Sequence, residues 1–212
     1  VIMIKTYNMK QEYTYWLALA NAENIYTRRK NEILAKIHED NSSLAHFFTE
    51  ENNWKSSFDL SQDEIQSLLH EKEKLNNYSF IVEDLLEQGY QIIPIFSSDY
   101  PKTLKRNLKF SSPILLYAYG NIELLNKESV AIVGSRNAND TSINFTDNIA
   151  SLSVSDGFVV VSGYAKGVDR QALDSAIQNG GSSIIVLPQG ITTFSSGYKG
   201  LYKEIVSGRV LV

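Results

Sequence analysis

The sequence predicts an α/β protein in which a parallel sheet, wound by right-handed crossovers, follows a small all-helical domain. Three observations predict it. Up to about residue 90 the apolar residues recur at helical spacing. From Gln91 onward they gather instead in short β-branched runs. Two of those runs, Val130 to Val133 and Phe158 to Val161, empty into loops of small residues ahead of helix-length segments, which is the pattern of a parallel crossover unit.

The elements follow in order. Tyr13, Trp16, Leu17 and Ala20 make one helical stripe. Ile33, Leu34 and Ile37 make a second, Ile65, Leu68 and Leu69 a third, and Tyr78, Ile81, Val82 and Leu85 a fourth. Ser61 with Glu64 is a capping-box pattern and starts a helix. Leu44, Phe47, Phe48, Trp54 and Phe58 are read as the core of this domain and not as an aromatic binding strip. The change of period places the boundary after residue 90, giving a helical domain at 1–90 and a sheet domain at 91–212. Gln91 to Phe96 and Ile114 to Tyr119 predict strands around the turn-rich Ser97-Ser98-Asp99-Tyr100-Pro101, and Ser183 to Leu187 predicts another. Ile143, Ile149 and Leu152 give one crossover helix its buried side. Asp169 is expected to cap the next helix, whose inner face holds Ala172, Leu173, Ala176 and Ile177 and which Gly180-Gly181 ends. Gly208 to Val212 reads as a strand at its start, so the sheet is expected to be incomplete as written, and Val1-Ile2 read as residues ahead of a natural start at Met3.

Composition narrows the function. The 212 residues are 43% hydrophobic, which suits a soluble globular protein, and neither a membrane-length apolar run nor a signal peptide is visible. The absence of cysteine excludes disulfides, thiolate zinc sites and cysteine nucleophiles, and it fits a reducing compartment, so a cytoplasmic location is expected. A net charge of −4 argues against a broadly basic surface for nucleic acid. Residues 1–125 hold 13 Lys/Arg against 17 Asp/Glu, whereas residues 126–212 hold 7 of each. A polyanion is therefore expected on the second part, in a local basic pocket.

Two loops supply that pocket. Gly134-Ser135-Arg136 offers a sharp turn, a hydroxyl and a planar guanidinium fork suited to phosphate oxygens. Ser162-Gly163-Tyr164-Ala165-Lys166-Gly167-Val168-Asp169 offers glycines for close approach, the Lys166 charge, and Asp169 to hold a basic neighbour. Both are expected at the carboxyl edge of the sheet, beside its switch-point crevice, with backbone N–H groups and helix N-termini turned to an anion. Neither loop spells G-x-G-x-x-G or G-x-x-x-x-G-K-[ST], which counts against dinucleotide and P-loop readings. His38, His46 and His70 all lie in the helical part, away from any serine nucleophile or ligand cluster. No catalytic residue, metal site or cofactor is expected.

Taken serially, these residues resemble the DNA-processing protein A (DprA, or Smf) family. The resemblance rests on Tyr100-Pro101-Lys102-Thr103-Leu104, Pro113 to Tyr117, Gly120-Asn121 with Leu124-Leu125, Val130 to Arg136, Ser162 to Asp169, Gly180-Gly181 and Gly190. It covers about residues 90 to 191. It implies an extended Rossmann-like domain, here truncated at its carboxyl end, behind a helical domain similar to sterile alpha motif or helix-hairpin-helix modules. It further implies a non-enzymatic protein that binds and protects single-stranded DNA without marked sequence preference, and that helps load the RecA recombinase in natural transformation. The implied phosphate pocket comprises Gly134, Ser135, Arg136, Ser162, Gly163, Ala165, Lys166, Gly167, Asp169 and Gly190.

The chain also departs from the family pattern. Leu173 stands where a histidine is usual, and Thr192 to Lys199 replaces the family's Tyr-Pro and asparagine after the Gly190 turn. Lys199 on phosphate and Phe194 stacking on a base are the residue types available to replace those contacts. The resemblance places much of the family's self-association surface past Val212, which leaves a homodimer of this chain without it. Two rivals stand beside the main reading. One is a nucleotide sensor or phosphoribohydrolase-like enzyme, although Leu187 to Thr193 lacks the Pro-Gly-Gly-x-Gly-Thr loop and its acid. The other is an interaction module that has lost its ligand.

Overall fold

The computed structural model describes residues 2–212, with side chains for 10–194, 197 and 199–212. The chain forms two compact units, Val1–Leu116 and Tyr117–Val212.

The first unit is built mainly from helices: α1 (Ile2–Asn21), α2 (Thr27–Glu39), α3 (Leu44–Thr49), α4 (Asn53–Phe58), α5 (Gln62–Glu73) and α6 (Leu75–Glu87). Its core holds Trp16, Leu17, Ile33, Leu34, Ile37, Leu68, Val82 and Leu85 from the helical stripes, whereas Ile81, named in the fourth stripe, is 46% exposed. Phe47, Phe48 and Trp54 bury together as expected, the indole N–H of Trp54 donating to the Phe47 carbonyl at 2.7 Å. Helix α5 opens on the expected capping box. The Ser61 N–H donates to Glu64 Oε2 at 2.8 Å and the Glu64 N–H to Ser61 Oγ at 3.3 Å.

By packing, the first unit runs on to Leu116. Strand β1 (Gln91–Pro94), helix α7 (Lys102–Leu108) and the start of strand β2 (Leu115–Ala118) belong with the helices. The physical reason is hydrogen bonding across long sequence separations. The buried Asn31 side chain on α2 donates to the carbonyls of Phe110 at 3.0 Å and Ser112 at 2.8 Å. Strand β1 pairs with β2 in a sheet of two strands, extended by the Ile95 N–H on the Ile114 carbonyl. Tyr100 is buried, its hydroxyl donates to the Pro113 carbonyl at 2.7 Å, and burial pushes its phenol up to about 12. A change of sequence period marks a change of secondary structure, and here it does not mark a change of packing unit.

The second unit carries a four-stranded parallel sheet: β3 (Ser129–Ala131), β4 (Val159–Ser162), β5 (Ser183–Ile185) and β6 (Val210–Leu211), in that spatial order. Helices α8 (Asp140–Ser155), α9 (Val168–Gln178) and α10 (Ser195–Val206) make the three crossovers. Register aligns Val130 with Val160, Val160 with Ser183 and Ser183 with Val210, so these share one face of the sheet. On that face Val130 and Val160 pack with Ala150, Ala172 and Ala176 of α8 and α9. Ile185 and Val210 pack there with Leu173, Leu201 and Ile205 of α9 and α10. The α/β, Rossmann-like architecture is therefore as expected, and within Gly208 to Val212 the residues Val210–Leu211 form the expected strand. The strand order is monotonic among these four, so the reversal that defines a switch point is not among them. Gly180, at φ 77°, closes α9 as expected, with the Gly181 N–H on the Ala176 carbonyl at 2.9 Å.

Candidate anion site at the carboxyl edge

Strands β3 and β4 are neighbours, so the loops that leave them lie side by side at the carboxyl edge of the sheet. They are interlocked as well as adjacent. The Val168 N–H of the second loop donates to the Ser135 carbonyl of the first at 3.1 Å, and the Gly134 N–H of the first donates to Asp169 Oδ1 at 3.0 Å. Beneath them Ser162 Oγ donates to the Ile132 carbonyl at 2.7 Å.

The glycines serve this interlock. A Cβ at Gly167, whose φ is 91°, would stand 2.2 Å from the Ser135 carbonyl oxygen and 2.9 Å from the Arg136 backbone. A Cβ at Gly134 would stand 2.9 Å from the Val168 side chain. The sequence explains these positions by close approach of a ligand, whereas the structure fills the space with the opposite loop.

The expected site residues therefore divide in two. Gly134, Ser162, Gly167 and Asp169 hold the loops together. The carboxylate of Asp169 is only 8% exposed and spends itself on the Gly134 N–H. It does not cap α9 either, because the N-cap is Gly167 and makes no side-chain cap bond. Two of the backbone donors expected to face an anion, those of Gly134 and Val168, are thus already used. Gly163 and Ala165 are half-buried in the same loop, with Asp169 Oδ2 packed against Gly163.

The other group faces solvent. Ser135, Arg136 and Lys166 are exposed, and the contact of Gly167 with the Arg136 backbone puts the two cationic residues on one rim. Among the described residues neither Arg136 nor Lys166 takes part in an ion pair, unlike Arg170, which pairs with Asp174 at 2.9 Å. Ser135 Oγ accepts from the Asn137 N–H at 3.1 Å, which tightens the turn behind Arg136. Gly190 and Lys199 are exposed on the segment after β5. Phe194 is not available to stack on a base. It is 7% exposed, its ring packs edge-on against Tyr164 at 5.0 Å, and it occupies the space above Gly197. The residues that sequence reasoning missed are Tyr164 and Arg170, whose guanidinium lies over the Tyr164 ring at 4.4 Å. The signal available was an arginine one turn into the helix after the loop.

Among the described residues no group of His, Asp or Glu is arranged to hold a metal ion, and no helix is long and apolar enough to cross a membrane. What the arrangement offers chemically is two cations without an ion-pair partner among the described residues, on two hydrogen-bonded loops, a fit for the oxygens of a phosphate chain.

Comparison with known proteins bears on the same region. Residues 91–212 match the family described as DNA recombination-mediator protein A. DNA processing protein DprA of Streptococcus pneumoniae is 33% identical over 123 residues, covering 57% of this chain and 43% of that protein. Protein Smf of Synechocystis is 28% identical over 191 residues, covering 85% of this chain and 45% of its own length. The chain thus spans less than half the length of these relatives. The X-ray structure of DNA processing protein A from Streptococcus pneumoniae superposes with a TM-score of 0.72 at 22% identity, over 93% of this chain and 66% of that one, a likeness of fold.

Proposed function

The chain belongs to the DNA recombination-mediator protein A family, and from that membership we propose that its second unit captures single-stranded DNA through the backbone phosphates. The observation that carries this reading is the pair of exposed cations, Arg136 and Lys166, held on one rim by loops that interlock through Val168, Ser135, Gly134 and Asp169. The interlock fixes the backbone from which both side chains project, so binding has to order the side chains but not the loops. With a net charge of −4 the chain offers a polyanion no general attraction, so capture depends on local cations such as Arg136 and Lys166. The site binds and releases its strand without chemistry. A strand held by phosphates keeps its bases available for pairing, which suits delivery to the RecA recombinase in natural transformation.

The test is fluorescence-anisotropy titration of a labelled oligothymidine, single-stranded and annealed, against the chain and its Arg136→Ala variant. Preference for the single strand, weakened by about fivefold or more in the variant, is the expected outcome. Undiminished affinity in Arg136→Ala would remove the site. Binding of a mononucleotide in preference to the oligomer would favour the nucleotide-sensor reading.

A further inference from the structure

We infer that Arg170, held over Tyr164, is a base-stacking platform that adds a nucleobase contact to the phosphate rim, an inference that rests on the single-strand reading above. Tyr164 belongs to the second loop itself, two residues before Lys166, and its backbone sits at φ 60°, where a non-glycine residue persists only if its surroundings fix it. Phe194 supplies that support, meeting the tyrosine ring edge-on at 82°. The buried aromatic thus backs Tyr164 and does not meet the ligand.

Arg170 completes the stack. Its guanidinium lies 4.4 Å from the centre of the Tyr164 ring, its Nε donates to both carboxylate oxygens of Asp174 at 3.0 and 2.9 Å, and its own N–H donates to the Ala165 carbonyl at 3.0 Å. Backbone, ion pair and ring together fix the orientation of a planar cation that still has 46% of its side chain exposed. A guanidinium plane is a surface on which nucleobases stack, and stacking tolerates any base because each has a π-face. A phosphate role fits Arg170 less well than Arg136 or Lys166, because the Asp174 carboxylate already answers its charge. The division of labour is therefore phosphate on Arg136 and Lys166 and base on Arg170, with Tyr164 holding the guanidinium in place.

The experiment compares two labelled strands of equal phosphate count, an oligothymidine and a wholly abasic strand of the same length. Both are titrated with the wild-type chain and with the Arg170→Ala, Arg170→Lys and Arg136→Ala variants, whose thermal midpoints are checked first. The expected result is a loss of about fivefold on the thymidine strand for both Arg170 variants with less than about twofold on the abasic strand. Arg136→Ala should weaken both strands alike. Equal losses on the two strands in the Arg170 variants would make Arg170 a phosphate contact and overturn the platform. Full affinity in Arg170→Ala would reduce it to a surface ion pair, and full thymidine affinity in Arg170→Lys would show that charge without planarity suffices. Failure of the wild-type chain to bind either strand would overturn the single-strand reading and this inference with it, an outcome distinct from a wild type that binds while the Arg170 variants show no base-dependent loss.

Discussion

Gly167 and Asp169 illustrate how the same residues that suggest a ligand can act first on the scaffold. At Gly167 an added methyl group meets the Ser135 carbonyl oxygen at 2.2 Å, on a backbone whose φ of 91° already excludes most side chains. Gly167→Ala should therefore destabilise the second unit by more than about 1 kcal/mol, read as a lower midpoint in urea. An unchanged midpoint would mean that the loops separate freely. Asp169 offers a finer dissection. Asp169→Asn keeps an oxygen for the Gly134 N–H and should cost little, whereas Asp169→Ala leaves that donor unmatched and should cost about 1–3 kcal/mol. Equal losses in the two variants would assign the role to charge. The contrast also explains which part of the site the sequence reveals. Arg136 and Lys166 are legible because loop cations after buried strands face solvent. The partners of Gly134 and Gly167 are not legible, because each glycine is explained by a residue some 30 positions away.

At the scale of elements, legibility tracks how local the signal is. Most strands among the described residues fall within runs marked by β-branched residues, while β2 is marked by its apolar run after the turn-rich Ser97 to Pro101, and the capping box at Ser61 needs only four consecutive residues. Helices α3, α4 and α7 are six or seven residues long, too short for a periodic stripe, and α10 begins in a Ser- and Gly-rich segment poor in helix formers. Phe194 fails for the same reason. Beside polar neighbours it looks like a surface ring, yet Leu201, Ile205 and Ile185 bury it once α10 forms. The capping box carries its own pH dependence. Burial raises the Glu64 pKa, but the Ser61 N–H and the Arg29 guanidinium, whose Nε lies 3.1 Å away, more than offset this and hold it below its ordinary 4.5. A depressed carboxylate contributes stability that is full above its unfolded value and is lost as pH falls through its folded value. Thermal midpoints measured from neutral pH down through that range should fall for the wild type. Glu64→Gln should start lower and fall less, and parallel curves would dissociate the charge of Glu64 from the cap.

For the whole molecule, the distribution of charge makes the last prediction. Seven cations against seven anions in residues 126–212 leave the second unit without a net positive field, so attraction there depends on individual cations. On the proposed reading the strand is held by Arg136 and Lys166, which take part in no ion pair among the described residues, with Lys199 as a third exposed cation on the segment after β5. Each phosphate neutralised on a single strand lowers log K by about 0.7 per decade of salt, so two or three contacts predict a slope of about −1.4 to −2.1. Arg136→Ala should make the slope shallower by about 0.7, whereas Arg170→Ala, acting on a base, should lower affinity and leave the slope unchanged. A wild-type slope several times steeper would require many more phosphate contacts than the rim supplies, and would place the principal DNA surface elsewhere on the chain. A measured slope in the expected range that Arg136→Ala reduces would tie the salt dependence of the whole molecule to one guanidinium on one loop.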